Sequence, residues 1–249
     1  MKFIAVIPAR YASSRFPGKP LATLGGKMVI ERVYEQVSSV LDEVYVATDD
    51  ERIYNAVVGF GGKAIMTSDK HKSGTDRIAE AVEKIESKAD VVINIQGDEP
   101  FIHPDQIRTV MSLFDDNDTE IATLGKPFES MDAADNPNSP KIVVGQNGRA
   151  LYFSRSVIPF VRGKEHTDWL KYYPFLKHIG LYAYRRETLM KITKLEQTPL
   201  ELAESLEQLR WLEHGIAVKV GMTNCETIGI DTPEDLQRAE EFIKKLAKE

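Results

Sequence analysis

Residues 3–66 alternate between short apolar runs and amphipathic stretches, and that alternation leaves few architectures open. Residues 3–7 read FIAVI, a run with no polar face, as expected of a strand covered on both sides. Residues 28–41 then place Val29, Ile30, Val33, Val37, Val40 and Leu41 at helical spacing. Residues 44–47 predict a second strand, 50–60 a second helix and 63–66 a third strand. A β-α-β-α-β order predicts a parallel sheet with right-handed crossovers. Ser73-Gly-Thr-Asp76 has capping-box chemistry and opens a helix through Ile85. Residues 90–95 form another apolar strand, and Pro104 stands at the favoured first position of the next helix. The first hundred residues therefore predict a doubly wound, Rossmann-like half, whose ligands sit beyond the carboxyl ends of the strands. Residues 8–26 and 96–100 are loops at such ends.

The second half is less regular. Residues 120–124, 141–144, 151–153, 178–184 and 217–220 are strand candidates, and 200–213 read as one helix. Residues 136–140 are a loop, and 162–174, polar and aromatic, are expected to be exposed. Thr232-Pro-Glu-Asp235 again has capping-box chemistry and opens a last helix. No repeat or low-complexity tract interrupts the 249 residues. The expectation is one domain: a nucleotide-binding half to about residue 125, an inserted mixed-strand lobe over about 126–228, and a returning C-terminal helix over about 229–249.

A net charge of -6 argues against bulk affinity for nucleic acid or an anionic membrane, so a phosphate ligand needs a local basic cluster. The single cysteine, Cys225, excludes an intrachain disulfide and fits a reducing compartment. No stretch approaches the roughly 20 apolar residues of a membrane span, and the N-terminus reads as no export signal. A cytoplasmic protein is expected. Five scattered histidines and one cysteine give no zinc cluster.

That basic cluster is present. Arg10, Arg15 and Lys19 lie in the loop after the first strand, with Ser13 and Ser14 as neutral donors. On its own such a loop is a solvated surface. Its position, its prolines and glycine, and the acidic rest of the chain favour phosphate binding. It matches neither the P-loop nor G-x-G-x-x-G. Gln96-Gly-Asp-Glu-Pro100 follows a buried strand, and Asp98 can hold Mg2+ against phosphate oxygens. Asp231, just before the helix that opens at Thr232, is either a helix-end charge or a second carboxylate on the same metal.

Taken in order, Pro8-Ala-Arg-Tyr-Ala-Ser-Ser-Arg-Phe-Pro-Gly-Lys-Pro-Leu21, Ser73-Gly-Thr-Asp-Arg77, Gln96-Gly-Asp-Glu-Pro100, Ala150-Leu-Tyr-Phe-Ser-Arg155, His178-Ile-Gly-Leu-Tyr182, Leu206-Glu-Gln-Leu209 and Ile230-Asp-Thr-Pro-Glu-Asp235 carry a family resemblance. The chain resembles the 3-deoxy-manno-octulosonate cytidylyltransferase (CMP-Kdo synthetase) family over essentially its full length. The opening motif alone also suits CMP-sialic acid synthetases.

The resemblance implies a GT-A-like nucleotide-diphospho-sugar transferase fold, CTP and the acidic sugar Kdo as substrates, Mg2+ as cofactor, a homodimer and a role in lipopolysaccharide synthesis. It places Arg10, Arg15 and Lys19 on the triphosphate, and Asp98 and Asp231 on the metal. Pro8, Ala9, Ser73 and Arg77 fall near the cytidine, and Gln96 near either sugar. Arg155, His178, Tyr182, Glu207 and Gln208 would recognise Kdo. By themselves these five read as a surface ion pair, a core histidine, a packed strand tyrosine and the exposed face of a helix. Residues 156–159, Ser-Val-Ile-Pro, lack the first proline of the family pattern, and Glu99 after Gln-Gly-Asp favours ordinary over amino-modified Kdo. The rival readings are a cytidylyltransferase for 8-amino-Kdo or sialic acid, a GT-A glycosyltransferase, which would carry Asp-x-Asp, and a CTP-binding regulator without catalysis.

Overall fold

The computed structural model describes residues 1–13, 15–226 and 228–246. The chain divides into two compact units, Met1–Arg108 with Glu226–Glu249, and Thr109–Cys225.

The first unit opens with strand β1 (Phe3–Ala9), then a hairpin of β2 (Thr23–Leu24) and β3 (Lys27–Met28). Helix α1 (Val29–Ser38), strand β4 (Val44–Thr48), helix α2 (Glu51–Gly59), strand β5 (Ala64–Met66), helix α3 (Gly74–Lys84) and strand β6 (Val91–Asn94) follow. Helix α4 (Pro104–Ser112) begins at the predicted proline. The sheet order is β5-β4-β1-β6, and every pairing is parallel. Ile4, Ala5, Val6 and Ile7 of β1 are fully buried, as their unbroken apolar run requires. Val29, Ile30, Val33 and Val37 make the buried face of α1. The chain runs from β1 outward to β5 and then returns to the other side of β1 as β6. Strand order therefore reverses between β1 and β6, where an open α/β sheet leaves a crevice for a ligand.

The second unit contains β7 (Ile121–Pro127), α5 (Met131–Asp135), β8 (Lys141–Val144), β9 (Ala150–Ser154), β10 (Leu176–Arg185), α6 (Arg186–Ile192), α7 (Pro199–Glu204), α8 (Gln208–Glu213) and β11 (Val218–Met222). Here β11 runs parallel to β7, while β10 is antiparallel to β7 and β8, and β9 is antiparallel to β8. The α/β class with parallel and mixed-strand parts is thus as expected.

Two details differ from the sequence reading. Residues 200–213 are two helices, because Ser205 takes a left-handed conformation (φ 50°) and ends α7. Residues 162–174 are not wholly exposed: Trp169 is buried and packs with Phe128, Met131, Ala134 and Phe175. Its ring stacks on Phe175 at 6.0 Å, which a pattern without helical or strand period does not reveal.

After the second unit the chain returns as α9 (Pro233–Leu246), packed in the first unit through Ala239 against Leu24 and Val29.

Candidate active site

The loop after β1 turns back on itself. Gly18 holds φ 72°, and its N–H donates to the Tyr11 carbonyl at 2.9 Å. Lys19–Leu21 then forms one 3-10 turn around Pro20. The Tyr11 ring is covered by the Arg52 guanidinium, 3.3 Å from its centroid, and Asp50 holds Arg52 at 2.6 Å.

The turn after β6 comes up against β1. A Cβ on Gly97 would stand 2.8 Å from the Pro8 carbonyl oxygen, so only glycine fits this approach. Next in the chain, the Asp98 carbonyl accepts the Ile230 N–H at 2.8 Å, which brings the start of α9 alongside. The Asp235 carboxylate caps that start, accepting from Asp231 N–H (3.1 Å) and Thr232 N–H (2.9 Å). Burial raises the Asp235 pKa, but these bonds and Arg238 outweigh it and hold the carboxyl below its usual range.

Two carboxylates 133 positions apart in sequence thereby share one cation. Lys19 Nζ lies 2.6 Å from Asp98 Oδ2 and 3.2 Å from Asp231 Oδ1, with its side chain only 12% exposed. Arg15 reaches the same Asp231 oxygen at 3.1 Å. The three elements singled out in the sequence meet at one point.

That point lies in a cavity of about 330 Å³, large enough for a small-molecule ligand. Pro8, Ala9, Arg10, Ser13, Arg15, Lys19, Ser73, Arg77, Gln96, Asp98 and Asp231 all line it. Ser14 lies outside the described residues. Ser73 caps α3 by accepting the Asp76 N–H at 3.1 Å, so the positive end of an eleven-residue helix meets the cavity wall. Gln96 donates to Asn94 at 3.0 Å. Arg77 is buried rather than a helix-surface residue: it donates to Asp49 (2.7 Å), Thr67 (2.6 Å) and the Ser68 carbonyl (3.3 Å). Its charge is largely satisfied within the protein, so it shapes the wall more than it attracts an anion.

Lys19, Arg15 and Arg77 are thus paired with carboxylates. Arg10 and Lys72 line the cavity with no ion-pair partner among the described residues. Lys72 and His71 were not assigned from sequence; the one available signal is that they immediately precede the Ser73 cap. His71 bonds Glu80, which also accepts the Ser68 N–H at 2.9 Å. Burial pushes the Glu80 pKa up, but its bonds to Lys84, Ser68 and His71 prevail and bring it down to about 2.

The donor set at Asp98 and Asp231 suits a hard divalent ion completed by substrate oxygens, since Mg2+ takes one or two carboxylates plus phosphates. Among the described residues no group of three or more His, Cys, Asp or Glu forms an all-protein metal cage.

The five remaining candidates belong to the second unit. His178 Nε2 lies 3.2 Å from Thr123 Oγ1, and that hydroxyl is within bonding distance of the Ile179 (3.0 Å) and Leu181 (2.8 Å) carbonyls. With its one proton given to a carbonyl, the hydroxyl accepts from Nε2–H, leaving Nδ1 as an acceptor. The imidazole stands between Phe153 (5.1 Å) and Tyr182 (5.3 Å), and burial lowers its pKa to about 3. Tyr182 is buried, which pushes its hydroxyl well above the ordinary pKa. Gln208 is buried, and its Nε2 has no hydrogen-bond partner among the described residues; the same holds for Trp211 Nε1. Glu207 is 28% exposed and lies 3.8 Å from Arg210. Arg155 donates to the carbonyls of Glu204 (2.7 Å), Pro137 (2.9 Å) and Ser205 (3.3 Å).

A family model described as Cytidylyltransferase matches residues 4–228. The 3-deoxy-manno-octulosonate cytidylyltransferase of Parabacteroides distasonis is 63% identical over 247 residues, 98% of each chain. That of Phocaeicola vulgatus is 64% identical over 248 residues, again 98% of each. Among solved structures, CMP:2-keto-3-deoxy-manno-octonic acid synthetase complexed with CTP superposes with TM-score 0.92 at 44% identity, covering 99% of this chain and 100% of that one. A 4-diphosphocytidyl-2C-methyl-D-erythritol synthase from Anaerococcus prevotii, 14% identical with TM-score 0.62 over 98% and 99% of the two chains, shares the fold alone.

Proposed function

Because the chain belongs to the cytidylyltransferase family, we propose that it transfers CMP from CTP to Kdo and releases pyrophosphate. The observation that carries this reading is the meeting of Lys19, Asp98 and Asp231 on the wall of that cavity. Relatives 63–64% identical over nearly the whole chain bear the name of that reaction.

In the reaction the anomeric oxygen of Kdo attacks the α-phosphorus of CTP. A new P–O bond forms, the bond from the α-phosphorus to the bridging oxygen of the β-phosphate breaks, and the sugar hydroxyl gives its proton to solvent water. Such a displacement depends on in-line placement and charge neutralisation more than on covalent chemistry by the protein. Arg10, Arg15 and Lys19 hold the triphosphate and stabilise the departing pyrophosphate. Lys19 also keeps the two carboxylates balanced before substrate arrives. Asp98 and Asp231 are the residues that would hold Mg2+, which neutralises phosphate charge and makes a sugar hydroxyl more acidic.

Pro8 and Ala9 border the cytidine end with Ser73 and Arg77, and Gln96 serves the sugars. Kdo is read by His178, Tyr182, Glu207 and Gln208, with Arg155 as the cation toward its carboxylate. His178 is neutral at physiological pH, so it recognises hydroxyl groups rather than the carboxylate. A homodimeric, cytoplasmic enzyme supplying lipopolysaccharide synthesis completes the reading.

The test is pyrophosphate release with Mg2+, crossing CTP and UTP with Kdo, 8-amino-Kdo and sialic acid. Turnover is expected with CTP and Kdo. Turnover with sialic acid alone transfers the chain to another acidic-sugar cytidylyltransferase, and CTP binding without pyrophosphate release ends the enzymatic reading.

A further inference from the structure

Lys141 is fully buried at the start of β8, a position where an ammonium is costly unless its donors are used. It spends two of them on one loop, donating to the carbonyls of Asn136 (3.1 Å) and Ser139 (3.0 Å). Asp135 and Glu204 favour its charged form, while burial, the larger effect, and Arg155 oppose it.

That loop, residues 136–140, is bonded on two other sides. The Pro140 carbonyl accepts the backbone N–H of His178 at 2.8 Å, so the loop is joined to β10 at a residue assigned to the sugar. The Pro137 carbonyl accepts from Arg155 Nη1 at 2.9 Å. Arg155 passes the connection on: Nε donates to the Glu204 carbonyl at 2.7 Å and Nη2 to that of Ser205 at 3.3 Å. The Glu204 carboxylate returns the bond, accepting from the Arg155 N–H (2.9 Å) and the Ser154 hydroxyl (2.6 Å). Ser205 is the strained left-handed residue that ends α7, and Glu207 and Gln208 follow within three positions. One short loop, held by two cations, therefore connects β10, which carries His178, with the turn that carries Glu207 and Gln208.

We propose that Lys141, which lines no part of the described cavity, is a positioning residue for the acidic sugar, holding the 136–140 loop so that His178 and the Ser205 turn keep their mutual placement. The proposal rests on the reading of those residues as the Kdo-recognising set. A polyhydroxylated sugar requires several donors and acceptors at set separations, so a small displacement of one side weakens the whole set.

The experiment compares Lys141→Met, which removes the donors, with Lys141→Gln, which keeps an N–H donor and loses the charge. Lys141→Met is expected to raise the KM for Kdo about tenfold or more, with the KM for CTP changed by less than about twofold. Lys141→Gln is expected to fall between Lys141→Met and the parent, and it carries the test if Lys141→Met does not fold. An unchanged KM for Kdo overturns the proposal. So does a fall in kcat with both KM values held, which is what a smaller folded fraction produces. Hydrogen exchange supplies a reading independent of turnover. Amides of residues 205–209 should exchange faster in the variants at a pH where the parent protects them, and unchanged exchange overturns the proposal. If the parent accepts no acidic sugar, the proposed function fails by itself, and exchange still decides whether the strap exists.

Discussion

Lys19 carries the charge balance of the cavity wall. Its ammonium touches both carboxylates and is nearly shielded from water, whereas Asp98 and Asp231 are 30% and 49% exposed. Lys19→Met leaves Asp98 without its cation beside an Asp231 still held by Arg15, at a cost of about 1 kcal/mol after allowance for solvent screening. A fall of roughly 2–4 °C in the melting midpoint of the ligand-free protein should follow, measured by differential scanning fluorimetry. Millimolar Mg2+ should restore more of that loss in the variant than it adds to the parent. Asp98→Asn should reduce kcat by about a hundredfold or more with the circular dichroism spectrum retained; near-parental turnover removes Asp98 from the proposed metal site. His178 gives a pH signature. Its folded pKa of about 3 lies below the ordinary 6.5, so the unfolded chain binds more protons between those values. Its contribution to stability is fully present above about pH 6.5 and is lost as pH falls toward 3. Denaturant midpoints measured across this window should fall less steeply with acid in His178→Gln.

Individual elements follow their sequences where short-range rules suffice. Ser73 and Thr232 cap α3 and α9 as their spacing to Asp76 and Asp235 predicts. Residues 200–213 show where such rules fail. The periodicity continues across Ser205, but Arg155 holds the carbonyls of Glu204 and Ser205, and a left-handed residue replaces the helical turn. Trp169 is a second case, an aromatic residue in a polar segment that becomes core because α5 and Phe175 are there to receive it. Trp169→Ala should destabilise the protein by about 3–5 kcal/mol, read from chemical denaturation, whereas replacement of the neighbouring exposed Tyr172 should have little effect.

On the scale of the whole molecule, charge is distributed unevenly. A chain of net charge -6 gathers Arg10, Arg15, Lys19 and Lys72 around one cavity of its first unit. Attraction of a polyanion to that cluster is local, and salt screens it beyond about 10 Å at 0.1 M ionic strength. Raising KCl from about 0.05 to 0.5 M should therefore raise the KM for CTP several-fold. A neutral Lys72→Gln variant should show a weaker salt response. A flat response in the parent places the polyphosphate elsewhere.

Sequence alone determined the α/β class, the order of elements in the first unit, the basic loop, both acidic positions and, through a series of motifs, the family. These are properties of near neighbours: apolar period, cap chemistry and residue spacing act within a few positions. Tertiary structure decided what joins distant positions. The Asp98 carbonyl bonding Ile230 brings Asp231 to Lys19 across 212 positions, Gly97 lets that turn approach Pro8, and Arg77 becomes a buried anchor for Asp49. A backbone hydrogen bond between segments so far apart leaves no mark in local composition, because either partner alone is an ordinary peptide group until the fold removes both from water.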